Sequence, residues 1–298
     1  MTSVLTLIAG MTGPTLDHSI AEQARAALVA CGADVGAPEW LAPGAACDIP
    51  FAHAALETAQ AAVRARLGTM PIDLAAQSVS GRRKRLFVAD MDSTMITGES
   101  LDELAAYAGK KDEVAALTAR AMNGEVDYRS SLRARVAMLK GLKLSAMEEV
   151  AARIEATPGA RALVQTLRAH GAYTLLVTSG FGYFSSRVRD ALGFHDAVSN
   201  ELEMDGDSLA GTVKEPILNR DGKREALERT AAERGIPLEA ALAVGDGAND
   251  LDMLARAGLG VAFRAKPVVA AAARVRVDHA DLTALLYLQG YRRDEFAG

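Results

Sequence analysis

Leu86-Phe87-Val88-Ala89 is an unbroken apolar run, too short for a helix and without the polar alternation of a strand that has one wet face. A strand of that kind is buried on both sides, which places it inside a parallel sheet covered by helices. The downstream sequence keeps the pattern. Strand-like runs at 173–178, 241–244 and 259–262 alternate with helical segments at 159–170, from about 181, at 223–234 and from about 249. The spacing predicts a doubly wound α/β domain with a parallel sheet. Helical segments also fill 101–154, with breaks at Gly109, Gly124 and Gly141, so a helical insertion follows the first strand. Residues 197–213 read as a β-hairpin around Asp205-Gly206-Asp207, and the Ala-rich stretch 268–273 as helix.

Upstream, the order changes to strand (3–9), helix (20–31, ending at Gly32), two short strands about an Ala42-Pro43-Gly44 turn, helix (54–67) and strand (71–79). That βαββαβ order predicts a small α+β domain over 1–80, ahead of an α/β domain over 81–298. A chain of 298 residues is long enough for both. Its net charge of −5 argues against a nucleic-acid or membrane surface as main partner. The one basic run, Arg82-Arg83-Lys84-Arg85, reads as a solvated linker before a buried strand. Cys31 and Cys47 are expected as reduced thiols. No apolar run approaches the ~20 residues of a bilayer span, and no secretory pattern opens the chain, so a cytoplasmic protein is expected.

Ligands of an open α/β sheet bind outside the carboxyl ends of its strands. Three of those ends carry polar clusters: Asp90-Met91-Asp92-Ser93-Thr94, Ser179-Gly180, and Gly245-Asp246-Gly247-Ala248-Asn249-Asp250. One acidic pair after a strand is usually a turn or a cap. Three clusters at parallel strand ends converge on one place. Four carboxylates there (Asp90, Asp92, Asp246, Asp250) repel one another without a cation, and oxygen donors with no His or Cys cluster favour Mg2+. Asp246 and Asp250, at i,i+4 on an incoming helix, are expected to face it together.

The same set suits phosphoryl transfer. Asp90 can attack phosphorus, and Asp92 can protonate the leaving alcohol and then deprotonate water. Ser179 and the Gly180 amide can hold phosphate oxygens at a helix N-terminus, and Lys223, opening its helix, can meet the charge developing on them. Standing alone, Lys223 would be a solvated helix-start lysine.

These four motifs, in order over about 84–290, resemble those of the haloacid dehalogenase superfamily. Within it the sequence is similar to the phosphoserine phosphatase family, through Asp-Met-Asp-Ser-Thr-Met-Ile followed by Glu99, and Asp127-Tyr128-Arg129-Ser130-Ser131-Leu132-Arg133-Ala134-Arg135-Val136. The resemblance implies that Glu99 binds a substrate ammonium, Arg135 its carboxylate, that Tyr128 shields the site where Phe is common, and that Asn249 joins the substrate-binding residues. A guanidinium fork suits a carboxylate. On spacing alone, Glu99 is equally a helix cap and Arg135 equally a solvated helix arginine. The implied activity is hydrolysis of O-phosphoserine to serine through an aspartyl phosphate, as the last step of serine synthesis. The insertion (about 97–157) would be a cap, hinged near Thr97-Gly98 and Thr157-Pro158-Gly159.

Residues 1–80 resemble the ACT-like or ferredoxin-like domains appended to some longer members, although Met11-Thr12-Gly13-Pro14-Thr15 departs from their usual first turn. Such domains often pair edge strands across a two-fold axis, which admits a homodimer, with plain structural packing the default. Two alternatives remain: a phosphotransferase or phosphatase for another small phosphomonoester, using the same Asp90 and Asp92, and an amino-acid-sensing regulatory protein with an inactive phosphatase part.

Overall fold

A computed structural model describes residues 1–123 and 125–297; the break expected at Gly124 lies outside them. The N-terminal segment forms β1 (Ser3–Ala9), α1 (His18–Ala30), β2 (Asp34–Val35), β3 (Glu39–Ala42), β4 (Ala46–Ala52), α2 (Leu56–Leu67) and β5 (Ile72–Ser78). Its sheet runs β2-β4-β1-β5, with β3 also on β4, and every pairing is antiparallel. Leu5, Leu7, Ile49 and Phe51 lie in one core with Ala24 and Leu28 of α1 and Ala59 and Val63 of α2, so both helices cover one face. Among the described residues both cysteines are free thiols, and burial pushes the Cys47 thiol up to about 12.

The remainder comprises β6 (Leu86–Ala89), α3 (Ser100–Tyr107), α4 (Lys111–Met122), α5 (Tyr128–Ala137), α6 (Leu144–Arg153), α7 (Ala160–Ala169), β7 (Tyr173–Phe181), α8 (Gly182–Leu192) and β8 (Asp196–Asn200). Then come β9 (Leu202–Asp205), β10 (Ser208–Val213), α9 (Arg220–Glu233), β11 (Ala241–Gly245), α10 (Leu251–Arg256), β12 (Leu259–Phe263), α11 (Pro267–Ala272), β13 (Val275–Val277) and α12 (Ala284–Leu288). Six parallel strands form one sheet in the order β13-β12-β11-β6-β7-β8. The apolar run that opens it divides as a two-sided strand must. Phe87 and Ala89 enter one core, Leu86 and Val88 the other. Leu242 and Val244 against Ala241 and Ala243 repeat the division on β11.

α3 to α6 are inserted between β6 and α7. Leu101, Leu104, Val114, Leu132, Val136 and Val150 from this insertion join the core that covers one face of the sheet. Its two connections run side by side: the Thr97 amide donates to the Glu155 carbonyl at 2.9 Å and the Thr157 amide to Met95 at 3.0 Å, around an Ile96–Ala156 bridge.

Three expectations need correction. The hairpin is only β9–β10; residues 196–200 instead form β8, one of the sheet's two edge strands. The edge strand β13 and helix α12 follow the last strand predicted from sequence. Arg82 is not a solvated linker residue. Its guanidinium forks onto Asp48 (Nη1–Oδ2 2.7 Å, Nη2–Oδ1 3.1 Å) and donates to the Leu288 carbonyl at 3.2 Å. Thr6 completes the group, its hydroxyl donating to Asp48 Oδ1 at 2.6 Å.

A second polar joint lies at Asp73, whose buried carboxylate accepts the amides of Asp278 and Ala280, each at 2.8 Å, and of His279 at 3.1 Å. Removing such an acceptor strands amides that water reaches poorly. Asp73→Ala should therefore lower stability by about 2 kcal/mol, read from the midpoint of denaturant unfolding. A midpoint within error of the parent would show that the joint is slack.

Candidate active site

β6 ends in Asp90, whose amide still pairs with Val244 of β11 at 3.0 Å while its carboxylate turns back to accept the Met91 amide at 2.8 Å. The chain then tightens through Met91–Met95, with Ser93 in the left-handed region at φ 55. This turn sends Asp92 toward the insertion. Asp92 Oδ1 accepts the Ser100 amide at 2.7 Å, at the start of α3. Glu99, half-buried beside it, accepts the Ser93 hydroxyl at 2.7 Å.

From β7, Thr178, Ser179 and Gly180 reach the same place. A methyl on Gly180 would lie 2.8 Å from Asp92 Oδ2 and 3.0 Å from Thr178 Oγ1, so only glycine lets this backbone approach. The Gly180 amide donates to Thr178 Oγ1 at 2.8 Å, and the Ser179 hydroxyl accepts from Asn249 Nδ2 at 3.3 Å. Asn200, at the end of β8, locks the loop: its side chain donates to the Ser179 carbonyl at 2.8 Å and accepts the Leu218 amide at 2.7 Å.

Lys223 does not open α9 but sits in its first turn, after the Asn219 cap. It is fully buried, with Nζ 2.7 Å from Asp90 Oδ1 and 2.7 Å from Asp250 Oδ1. Asp246 and Asp250 do not share a helix. Asp246 lies in the loop after β11 and accepts the Thr94 hydroxyl at 3.2 Å; Asp250 ends a short 3-10 turn. Gly245 makes the room, since a methyl there would fall on the Asp250 carboxylate.

Carboxylate oxygens of Asp90, Asp246 and Asp250 lie within 4.8 Å of one another. Asp92, expected as a fourth ligand, points its carboxylate at Ser100 instead and is outside this trio. Three buried carboxylates against one lysine leave net negative charge in a poorly solvated place. Burial, then Asp250, holds the Asp90 carboxyl well above the usual range, against Lys223; burial, then Asp250, pushes Asp246 up to about 7. A donor set of oxygens alone, with charge to spare, fits a hard divalent cation. Burial also raises Asp92, and burial with Asp92 and Asp246 nearby pushes Glu99 up to about 8.

The insertion supplies the far wall. Tyr128 OH donates to the Ser179 carbonyl at 3.4 Å, and Arg135 is 2% exposed with its Nη2 lacking a partner among the described residues. Asp90, Asp92, Glu99, Arg135, Ser179 and Asn249 thus line one cavity of about 30 Å³. That holds water but not an amino acid phosphate, so the two walls must part for a substrate to enter. Ser93 stands inside the Asp90–Thr94 cluster but is given no role of its own from sequence, and Thr178 and Asn200 are not singled out there, although Thr178 is the hydroxyl just before a strand-end Ser-Gly.

Residues 87–255 match the haloacid dehalogenase-like hydrolases. A phosphoserine phosphatase of Streptomyces coelicolor is 41% identical over 288 residues, covering 94% of this chain and 70% of that protein. Two others, from Mycobacterium tuberculosis and Archaeoglobus fulgidus, are longer, the chain covering 55% and 59% of them. Among solved structures, a HAD family hydrolase of Salmonella enterica serovar Typhi superposes with a TM-score of 0.84 at 27% identity, over 96% of this chain and 98% of that one. A phosphoserine phosphatase described as a phospho-aspartyl intermediate analogue gives 0.67 at 37%, over 69% and 98%. With the family match spanning more than half its length, and the carboxylate–lysine cluster inside that span, the chain belongs to the haloacid dehalogenase-like hydrolases.

Proposed function

We propose that this chain hydrolyses O-phosphoserine to serine and phosphate, with Asp90 as the nucleophile. The observation that carries the reading is Lys223 held between Asp90 and Asp250 at the carboxyl end of a parallel sheet, opposite a buried arginine with one nitrogen unpartnered among the described residues. Asp90 attacks phosphorus while Asp92, whose burial favours the protonated form, gives its proton to the serine oxygen as the P–O bond breaks. Asp92 then takes a proton from water, which attacks the aspartyl phosphate and returns Asp90. Ser179, the Gly180 amide and Asn249 steady the phosphate oxygens, and Lys223 meets their charge. Asp90, Asp246 and Asp250 would hold Mg2+, which when bound would supply positive charge between the attacking carboxylate and the phosphate dianion. The relative described with a phospho-aspartyl analogue supports this chemistry.

Glu99 receives the substrate ammonium and Arg135 its carboxylate, with the Tyr128 ring against the guanidinium (5.8 Å). α3–α6 act as a cap over about 97–157, and the small cavity supports an opening motion about the paired connections. Residues 1–80 form an ACT-like, ferredoxin-like domain and 81–298 the phosphatase domain. The β5-β1-β4 order with both helices on one face supports the first assignment.

Steady-state hydrolysis of a phosphomonoester panel, with Mg2+ and then chelated, tests the proposal. Phosphoserine should lead the panel and chelation should remove turnover. Arg135→Ala should cost phosphoserine about tenfold or more in kcat/KM relative to phosphoethanolamine, which lacks the carboxylate. Equal losses, or no preference for phosphoserine, would overturn the substrate.

A further inference from the structure

An arginine that reads a carboxylate has to present a fixed fork, yet its side chain has many rotamers to lose. Arg135 is held on two sides. Nε donates to the Ser131 carbonyl of its own helix at 3.3 Å, and Nη1 donates to Thr118 Oγ1 on α4 at 2.9 Å. The Thr118 hydroxyl has one proton to give and lone pairs to offer. It donates to Asp102 Oδ1 on α3 at 2.8 Å, with the Val114 carbonyl at 3.0 Å as a second acceptor. A proton directed at Asp102 leaves a lone pair for Nη1. Nη2, which has no partner among the described residues, is buried and belongs to a side chain lining the active-site cavity.

We propose that Thr118 and Asp102 are positioning residues for substrate selectivity: Thr118, oriented by Asp102, sets the Arg135 fork so that Nη2 meets the substrate carboxylate. This rests on the reading of Arg135 given above. Neither residue lines the cavity, so both act through the arginine. The relay also ties both amino-acid contacts to one helix. Asp102 stands one turn beyond Glu99, so the placement of α3 sets the ammonium partner and, through Thr118, the carboxylate partner. A chain of hydrogen bonds that merely held α3, α4 and α5 together would affect folding without regard to which substrate is offered.

The readout is the ratio of kcat/KM for phosphoserine to that for phosphoethanolamine. Thr118→Val keeps the shape and removes the hydroxyl, and should lower the ratio about tenfold, mainly through the KM for phosphoserine. Thr118→Ser should restore it. Asp102→Ala should lower it less, because the Val114 carbonyl can take the Thr118 proton. Thr118→Ala gives the same readout by a second route should the valine variant fail to fold. A ratio that moves in Arg135→Ala but stays within twofold of the parent in the Thr118 variants would overturn the relay, even with a lowered melting temperature. A ratio unmoved in Arg135→Ala would overturn the reading of the arginine itself, and the relay with it.

Discussion

Asp90→Asn is expected to remove turnover, by at least ~10³-fold, without destabilising the cation-free protein. The carboxamide is no nucleophile toward phosphorus, so the loss should fall on kcat rather than on folding. The stability half of the prediction follows from the cluster. Asp90, Asp246 and Asp250 crowd together, with Lys223 bonded to Asp90 and Asp250, and burial with Asp250 already drives Asp90 toward its protonated form. The substituted carboxamide is a neutral near-isostere that relieves the repulsion, while Lys223 keeps Asp250. In chelator the variant should melt at or above the parent. With Mg2+ the order should reverse, since the parent binds the ion more tightly and gains more by mass action. Retained turnover would refute the nucleophile. A clear fall in melting temperature in chelator would refute the crowding argument.

The carboxylate half of this site is legible in the sequence because its residues sit at strand ends. Asp90, Ser179 and Asp246 each follow an apolar run, and parallel strands bring such ends together whatever the lengths between them. What failed to show depended on backbone detail or distant partners. Asp92 is expected to turn its carboxylate to the cation beside Asp90; after the turn through Ser93, at φ 55, that carboxylate meets the Ser100 amide. Asn200 also ends a parallel strand, yet the alternation over 197–213 blended that strand into the following hairpin. Arg82 looked solvated because basic runs usually are; its partner Asp48 lies far back in the chain, on β4. Lys223 is singled out by motif order, but nothing local marks it as buried. Its helix, Arg220–Glu233, is among the most polar in the chain.

That burial makes Lys223→Met the sharper test of the site's electrostatics. Methionine matches the length and apolar stem of lysine, so packing is nearly conserved. What disappears is the charge that Asp90 and Asp250 both face at 2.7 Å in a place water does not reach. Removing one partner from a buried ion pair costs about 3–5 kcal/mol, because the charges left behind are uncompensated. For a chain of this size that is roughly a 10 °C fall in melting temperature. A solvated helix lysine would give less than about 0.5 kcal/mol. Turnover should vanish too, since the charge developing on the phosphate loses its counter-charge. The decisive arm is the double variant. If repulsion between the stranded carboxylates is the cause, Lys223→Met with Asp90→Asn should melt above Lys223→Met alone, a coupling that two independent packing defects would not produce.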